Sequence, residues 1–182
     1  MAVVDIYNRA LIKIGSRNIL SAITDSVPEA SIIGVLYADL RDTLLQSFTW
    51  NFAMKRVALS ETTAPAFGFD KAFQLPADCL RAVIDDNANA VFRVEDGVLL
   101  TDALTIDLVY IAQVTDTTSF PPMFREVLAA YIASEICEAL TSNTNQATKL
   151  KKDYLDLLGK AKKADSQEGT PFNWRPTYNR RT

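Results

Sequence analysis

Residues 121–163, PPMFREVLAAYIASEICEALTSNTNQATKLKKDYLDLLGKAKK, decide the fold class. Phe124, Val127, Leu128, Tyr131, Ile132, Ile136 and Leu140 recur at helical spacing and predict a helix ending near Thr141. Pro121-Pro122 closes whatever precedes and suits a helix first turn, where a missing N–H costs nothing. The polar run TSNTNQ is a tight connection, and Asn143 or Thr144 supplies a cap for a further helix. That helix carries Ala147, Leu150, Tyr154, Leu157, Leu158 and Ala161. It finishes on Lys160, Lys162 and Lys163, which complement the negative end of the helix dipole.

Towards the N-terminus the same signature occurs twice. Val3, Ile6, Tyr7, Ala10, Leu11 and Ile14 make one apolar stripe, with Gly15 as a natural residue just past the helix end. Ser26-Val27-Pro28-Glu29 reads as a capping box, opening a second stripe of Ile33, Leu36, Tyr37, Leu40, Leu44 and Phe48. This second helix is predicted to run to about residue 48.

Between residues 56 and 116 helical spacing vanishes. Residues 104–110, LTIDLVY, alternate in the manner of a strand. Ala90–Val94 and Val98–Leu100 flank Asp96-Gly97, a strong signal for a tight hairpin turn. Leu80–Ile84 and part of 66–75 supply further strands. The expectation is a small antiparallel sheet of four to six strands. Residues 165–182, DSQEGTPFNWRPTYNRRT, carry no period and two prolines, and are expected to lack regular structure.

The expected fold is therefore α+β and mainly α. Residues 1–56 and 121–164 would close a four-helix bundle, with each helix pair contributing a single apolar face. Residues 57–120 would form a small antiparallel β insertion between the second and third helices. Residues 165–182 would be an irregular, extended docking tail.

Composition narrows the function. The chain has 182 residues, 48% of them hydrophobic, and a net charge of −3, which disfavours a globally basic nucleic-acid binder. No apolar run approaches the roughly 20 residues that cross a bilayer. The first residues lack the basic and small-residue pattern of a secretory signal, so a soluble, intracellular chain is expected at synthesis. Histidine is absent, which removes imidazole catalysis and His-based zinc sites. Cys79 and Cys137 sit far apart among apolar neighbours and read as buried, reduced thiols. Neither a GxGxxG nor a GxxxxGK[ST] stretch occurs. No cofactor and no metal are expected.

Local clusters read mostly as structure. Asp85-Asp86 and Glu95-Asp96 are adjacent carboxylate pairs, but neighbours on a strand point to opposite sides, and both pairs lie beside turn residues. Phe67, Phe69 and Phe73 have the alternation of a base-stacking surface, yet the surrounding region is acidic and favours core packing instead. Trp50 and Phe52 read as a plug between the bundle and the sheet. The tail is different. Phe172, Trp174, Arg175, Tyr178, Arg180 and Arg181 are aromatic and arginine residues of the kind that anchor interfaces, and docking into another subunit is the reading preferred over folding back.

Charge is segregated along the chain. Residues 57–120 carry −7, with ten acids against three bases, whereas residues 149–164 carry +4, with six lysines and two aspartates. Solvated faces are the preferred reading of this segregation. The alternative is self-association, the acidic part of one copy meeting the basic helix of the next, and head-to-tail contacts of that kind close into rings.

These pieces carry a resemblance. The opening DIYNRALIKIGSRNILSAITD and EASIIGVLYADLRDTLLQSFTWNFAMKR, with FQLPADCLRAV and FPPMFREVLAAYIASEICEAL before a polar turn and a Lys-rich helix, resemble the head-to-tail adaptors of short-tailed bacteriophages, the tail tubular protein A family. The resemblance spans nearly the whole chain and implies a helical bundle with a β insertion. It also implies a structural virion protein at the head–tail junction, found in the host cytoplasm before assembly and with no catalytic residue. Such adaptors form a ring, typically twelvefold, beneath the portal protein. The ring extends the channel through which genomic DNA passes without sequence-specific binding, and it presents a platform to the tail nozzle protein. By position, the resemblance gives a portal-docking role to Phe172, Trp174, Arg175, Tyr178, Arg180 and Arg181. The chain itself is expected to be monomeric when free, with no membrane partner. Two other function classes remain open: a small carboxylate-dependent hydrolase that degrades cell wall, and a helical DNA-binding regulator with an acidic sensor sheet.

Overall fold

The computed structural model describes residues 2–84 and 91–169. The chain forms two compact units, Met1–Phe52 with Val114–Gly169, and Ala53–Gln113.

The first unit holds four helices: α1 (Val3–Lys13), α2 (Pro28–Gln46), α3 (Pro122–Thr141) and α4 (Thr144–Ser166). In α1, Asp5 accepts from the Ala2 N–H at 2.9 Å, and Gly15 takes φ +80° beyond the last turn. Asn8 then fastens the α1–α2 connection, exchanging hydrogen bonds with the Leu20 amide and carbonyl at 2.8 and 2.9 Å. The start of α2 differs from expectation. Its N-cap is Val27, without a side-chain cap, and Pro28 opens the helix. Glu29 turns away to accept from Asn18 Nδ2 at 2.7 Å, so no capping box with Ser26 forms. Asn143 does cap α4, accepting from the Gln146 N–H at 3.0 Å.

The four-helix bundle with a small β insertion is contradicted on both counts. Among the described residues there are seven strands in two antiparallel sheets, and the helices gather around one of their number. Helix α3 packs against α1, α2 and α4 alike. The reason lies in its composition: Val127 to Ala130, Ile132, Ala133, Ile136 and Cys137 are all buried, which covers far more than one stripe. A helix that is apolar around most of its circumference belongs at the centre. Its alanines also let neighbours approach closely. An aromatic cluster at the N-terminal end of α3 extends this core: Phe124 meets Trp50, Phe52 and Phe120 with ring centroids 5.2, 4.8 and 4.9 Å apart. Trp50, expected as a plug between bundle and sheet, is packed within this unit, 2% exposed, and donates from Nε1 to the Leu44 carbonyl at 2.9 Å. Two boundaries also move. Helix α2 stops at Gln46 rather than residue 48, and α4 takes in Asp165 and Ser166 from the stretch expected to be irregular.

The second unit contains β1 (Met54–Ala58), β2 (Glu61–Thr62), β3 (Lys71–Gln74), β4 (Cys79–Ile84), β5 (Phe92–Glu95), β6 (Val98–Thr101) and β7 (Asp107–Ala112). One sheet has the order β1-β7-β4 and the other β2-β3-β6-β5. Phe73 and Leu99 of the four-stranded sheet share a core with Leu108, Tyr110 and Ala112 of the three-stranded one. The β5–β6 hairpin turns on Asp96 and Gly97, at φ +46° and +74°, the left-handed pair that a two-residue turn of this hand requires. The sequence predicts alternation along β7; instead Leu108 through Ala112 are all buried, so residues pointing to both faces of this strand are covered.

Candidate functional site

The six tail residues with an expected docking role, Phe172, Trp174, Arg175, Tyr178, Arg180 and Arg181, lie outside the described residues, as does the Asp85-Asp86 pair. Glu95 and Asp96 sit at the hairpin, where Glu95 meets Arg93 of its own strand at 3.5 Å. The three phenylalanines part company. Phe73 is in the core at 2% exposure, Phe69 is half-buried, and Phe67 is 89% exposed, so core packing does not account for all three. Cys137 is buried as expected, whereas Cys79 is half-buried. Burial pushes the Cys79 thiol above its ordinary value, with the Asp78 charge adding to it.

Next to Cys79, Asp78 organises the polar edge of the β unit. Its carboxylate accepts from Lys55 Nζ at 2.7 Å and from the Tyr110 hydroxyl at 3.1 Å. The Lys55 contact holds Asp78 below the usual carboxylate range, while burial and this carboxylate push Tyr110 up to about 12. Both effects stabilise the arrangement as drawn, a carboxylate accepting from a neutral phenol.

In the helical unit the densest chemistry lies at the end of α4. Asp165 follows Ala161 by one turn, so it falls on the packed side of the helix, and it is 8% exposed. A carboxylate there needs a donor. The Asn51 backbone N–H supplies it, 3.2 and 3.1 Å from the two carboxylate oxygens, and Asn51 Nδ2 donates to the Asp165 carbonyl at 2.6 Å. Burial raises the Asp165 acid above its ordinary value, the Asn51 amide offsets part of this, and Glu168 adds to it. One donor does not fully compensate this charge.

Beside this clamp lies a cleft of about 150 Å³, lined by Trp50, Pro122, Met123, Phe124, Asp165 and Glu168 among others. Its walls are mostly apolar and its charge is negative. A second cleft of about 220 Å³ runs between Lys13, Gln146, Lys149 and Asp153, where Gln146 Nε2 also donates to the Ile14 carbonyl at 3.0 Å.

Two surfaces stand out among the described residues, one basic and one apolar. On α4, Lys149, Lys151, Lys152, Lys160 and Lys163 are exposed, and Lys162 sits 5.4 Å above the Phe48 ring. Among the described residues none of these six pairs with a carboxylate, in contrast to Lys13 and Arg9, which both bind Glu126 of α3. On the β unit, β5 is a sheet edge whose four residues are all exposed, with Val91, Phe92 and Val94 at 76, 38 and 45%. Among the described residues no helix is long and apolar enough to cross a membrane, and no three acidic or cysteine side chains gather as a metal site would need.

Sequence reasoning missed Asp165 and Asn51, which are 114 positions apart. The one available signal was an aspartate in register with the apolar stripe of α4. It also missed Arg41, 7% exposed on α2, which lies over the Tyr37 ring at 5.8 Å and pairs with Asp42 at 2.7 Å. No protein-family model matches the chain, and no curated protein matches it either.

Proposed function

We propose that this chain is a structural subunit that works by docking, a head-to-tail adaptor of a short-tailed bacteriophage. The observation that carries the reading is the α4 surface, where five exposed lysines have no carboxylate partner among the described residues. The β unit is its complement, since Ala53–Gln113 carries nine acids against five bases. Opposite charges on different surfaces of one chain favour heterologous contacts, and a set of these that closes makes a ring. On this reading the copies sit beneath the portal protein in a ring, twelvefold by the resemblance, and pass genomic DNA without holding it. The ring presents the tail nozzle protein with its platform, and the C-terminal segment with Phe172, Trp174 and Arg175 reaches the portal. The protein is then a virion component and performs no bond chemistry.

Mixing the purified chain with portal rings and imaging the product tests this. Stacked annuli are the expected result. Free protomers beside unchanged portals would overturn it. A second reading, a carboxylate-dependent hydrolase, draws on Asp165 and Glu168 lining one cleft. Clearing of a cell-wall suspension by the wild-type chain, and not by Glu168→Gln, would favour that reading.

A further inference from the structure

Among the described residues the two sheets have four outer strands, β1, β4, β2 and β5. An open strand edge invites further pairing, and three of these four are blunted. Strand β1 exposes Lys55 and Arg56, β4 shifts register between Cys79 and Arg81, and β2 is two residues long. Strand β5 pairs regularly with β6, has no lysine or proline, and is exposed throughout. It carries one base and one acid, Arg93 and Glu95, two positions apart.

The hairpin decides which backbone groups of β5 face outward. A two-residue turn at Asp96-Gly97 makes Glu95 and Val98 a hydrogen-bonded pair, and two steps along the ladder Arg93 and Leu100 are another. The Val91 carbonyl keeps to the same side, accepting from Thr101 Oγ1 at 2.9 Å. Phe92 and Val94 therefore turn their N–H and C=O groups to the open edge. Val94 stands opposite Leu99, a core residue, yet Phe92 and Val94 remain 38 and 45% exposed. The apolar face of this sheet runs on past what covers it.

The charges of β5 select its occupant. Antiparallel pairing of two identical strands about a Val94–Val94 hydrogen-bonded pair sets Arg93 of each copy opposite Glu95 of the other. These are the non-hydrogen-bonded positions, where Cα atoms lie about 4.5 Å apart and opposite charges attract across the strands. Sliding one strand by two residues sets Arg93 against Arg93 in one direction and Glu95 against Glu95 in the other, both repulsive. We propose that two copies of the chain join β5 to β5 in the Val94-centred register, making one continuous sheet whose apolar face takes in Phe92 and Val94 of both copies. The interface is isologous and closes at two. It replaces the expected free monomer, and it stands independently of the ring reading, whose contacts are heterologous and use the α4 lysines.

Sedimentation equilibrium of the full chain, from micromolar to millimolar, tests this. Wild type is expected to pass from one copy to two and no further. Val94→Pro removes an outward N–H without touching the β6 ladder, so it should hold the chain at one copy. Its melting temperature should match wild type at dilutions where both are single. Arg93→Glu leaves two acids on the strand and Glu95→Arg two bases, so either change should weaken the dimer about tenfold, the scale of two cross-strand charge pairs lost. An equimolar mixture of those two variants should form mixed dimers, and the double reversal should dimerise like wild type. Lys152→Glu with Lys163→Glu, which the ring reading expects to disrupt assembly, should leave this dimer intact. A wild type that stays single at every concentration would overturn the proposal and assign the edge to another partner. So would dimers indifferent to Val94→Pro and to both charge reversals, variants that fail to form the mixed pair, or association that continues past two copies.

Discussion

The amide of Asn51 and the carboxylate of Asp165 meet at 3.1 Å, joining the start of a single 3-10 turn to the last turn of α4. This contact fixes where α4 stops packing. It also leaves a carboxylate inside the helical unit with less compensation than a buried charge requires.

Asp165 and Glu126 should therefore respond to pH in opposite directions. Burial raises the Asp165 acid, so its contribution to stability is greatest in acid and is given up as pH climbs through the folded-state value. Asp165→Asn is expected to cost most stability in acid and least near neutrality. Thermal melts of both proteins across that range check the sign, and a penalty growing with pH would refute it.

Glu126 accepts from Lys13 and Arg9, and the Lys13 contact chiefly holds its acid below the ordinary range. Its stabilisation is present above the ordinary glutamate value and lost as pH falls through the lower folded one. Glu126→Gln should lower stability by about 0.5–1 kcal/mol near neutrality, the scale of a partly exposed pair, and by nothing in strong acid. Urea titrations at the two pH values decide it.

Within the aromatic cluster, Phe124 is 1% exposed and touches three other rings. Phe124→Ala should cost about 3–5 kcal/mol, through lost burial and the cavity left behind. Phe67→Ala, at the opposite extreme of exposure, should stay within about 0.5 kcal/mol. Similar losses for the two would mean that Phe67 is covered in solution.

Gly97 holds φ +74° at the β5–β6 turn with open space where a side chain would stand. Strain, not crowding, then sets the cost of a side chain, and Gly97→Ala should destabilise by about 1–2 kcal/mol. Chemical denaturation measures this directly.

On α4, Lys152→Glu together with Lys163→Glu changes two solvent-facing residues that pair with nothing described. Stability should shift by no more than about 0.5 kcal/mol each. On the proposed adaptor reading, assembly on portal rings should be lost, and wild-type assembly should weaken with salt as screening shortens the reach of these charges. Assembly indifferent to both changes would remove the charge argument for the ring.

The extents of α1 and α3 and the start of α4 were legible because their stripes are long and carry recognisable end signals, Gly15, Pro122 and Asn143. The Asp96-Gly97 hairpin was legible for a similar reason: two adjacent residues tolerate the left-handed backbone that it needs. The arrangement was not. Stripe counting registers Phe124, Val127 and Ile132 but passes over Ala129, Ala130 and Ala133, and those small residues are what let α3 take neighbours on several sides. Strand β1, MKRVA, escaped notice because four of its five residues are exposed, leaving no burial period to read. The Asn51–Asp165 clamp depends on a backbone amide, and an amide donor carries no signature in the identity of its residue.

The central position of α3 has a consequence for synthesis. Ile6, Leu11, Ile33 and Leu44, all 0 or 1% exposed in the finished molecule, are translated long before the helix on which their own helices pack. At ribosomal speed the intervening chain takes on the order of ten seconds to emerge. Throughout that interval α1 and α2 present uncovered apolar surface to water, so a nascent chain stalled before residue 122 should be a far better chaperone client than one released at full length.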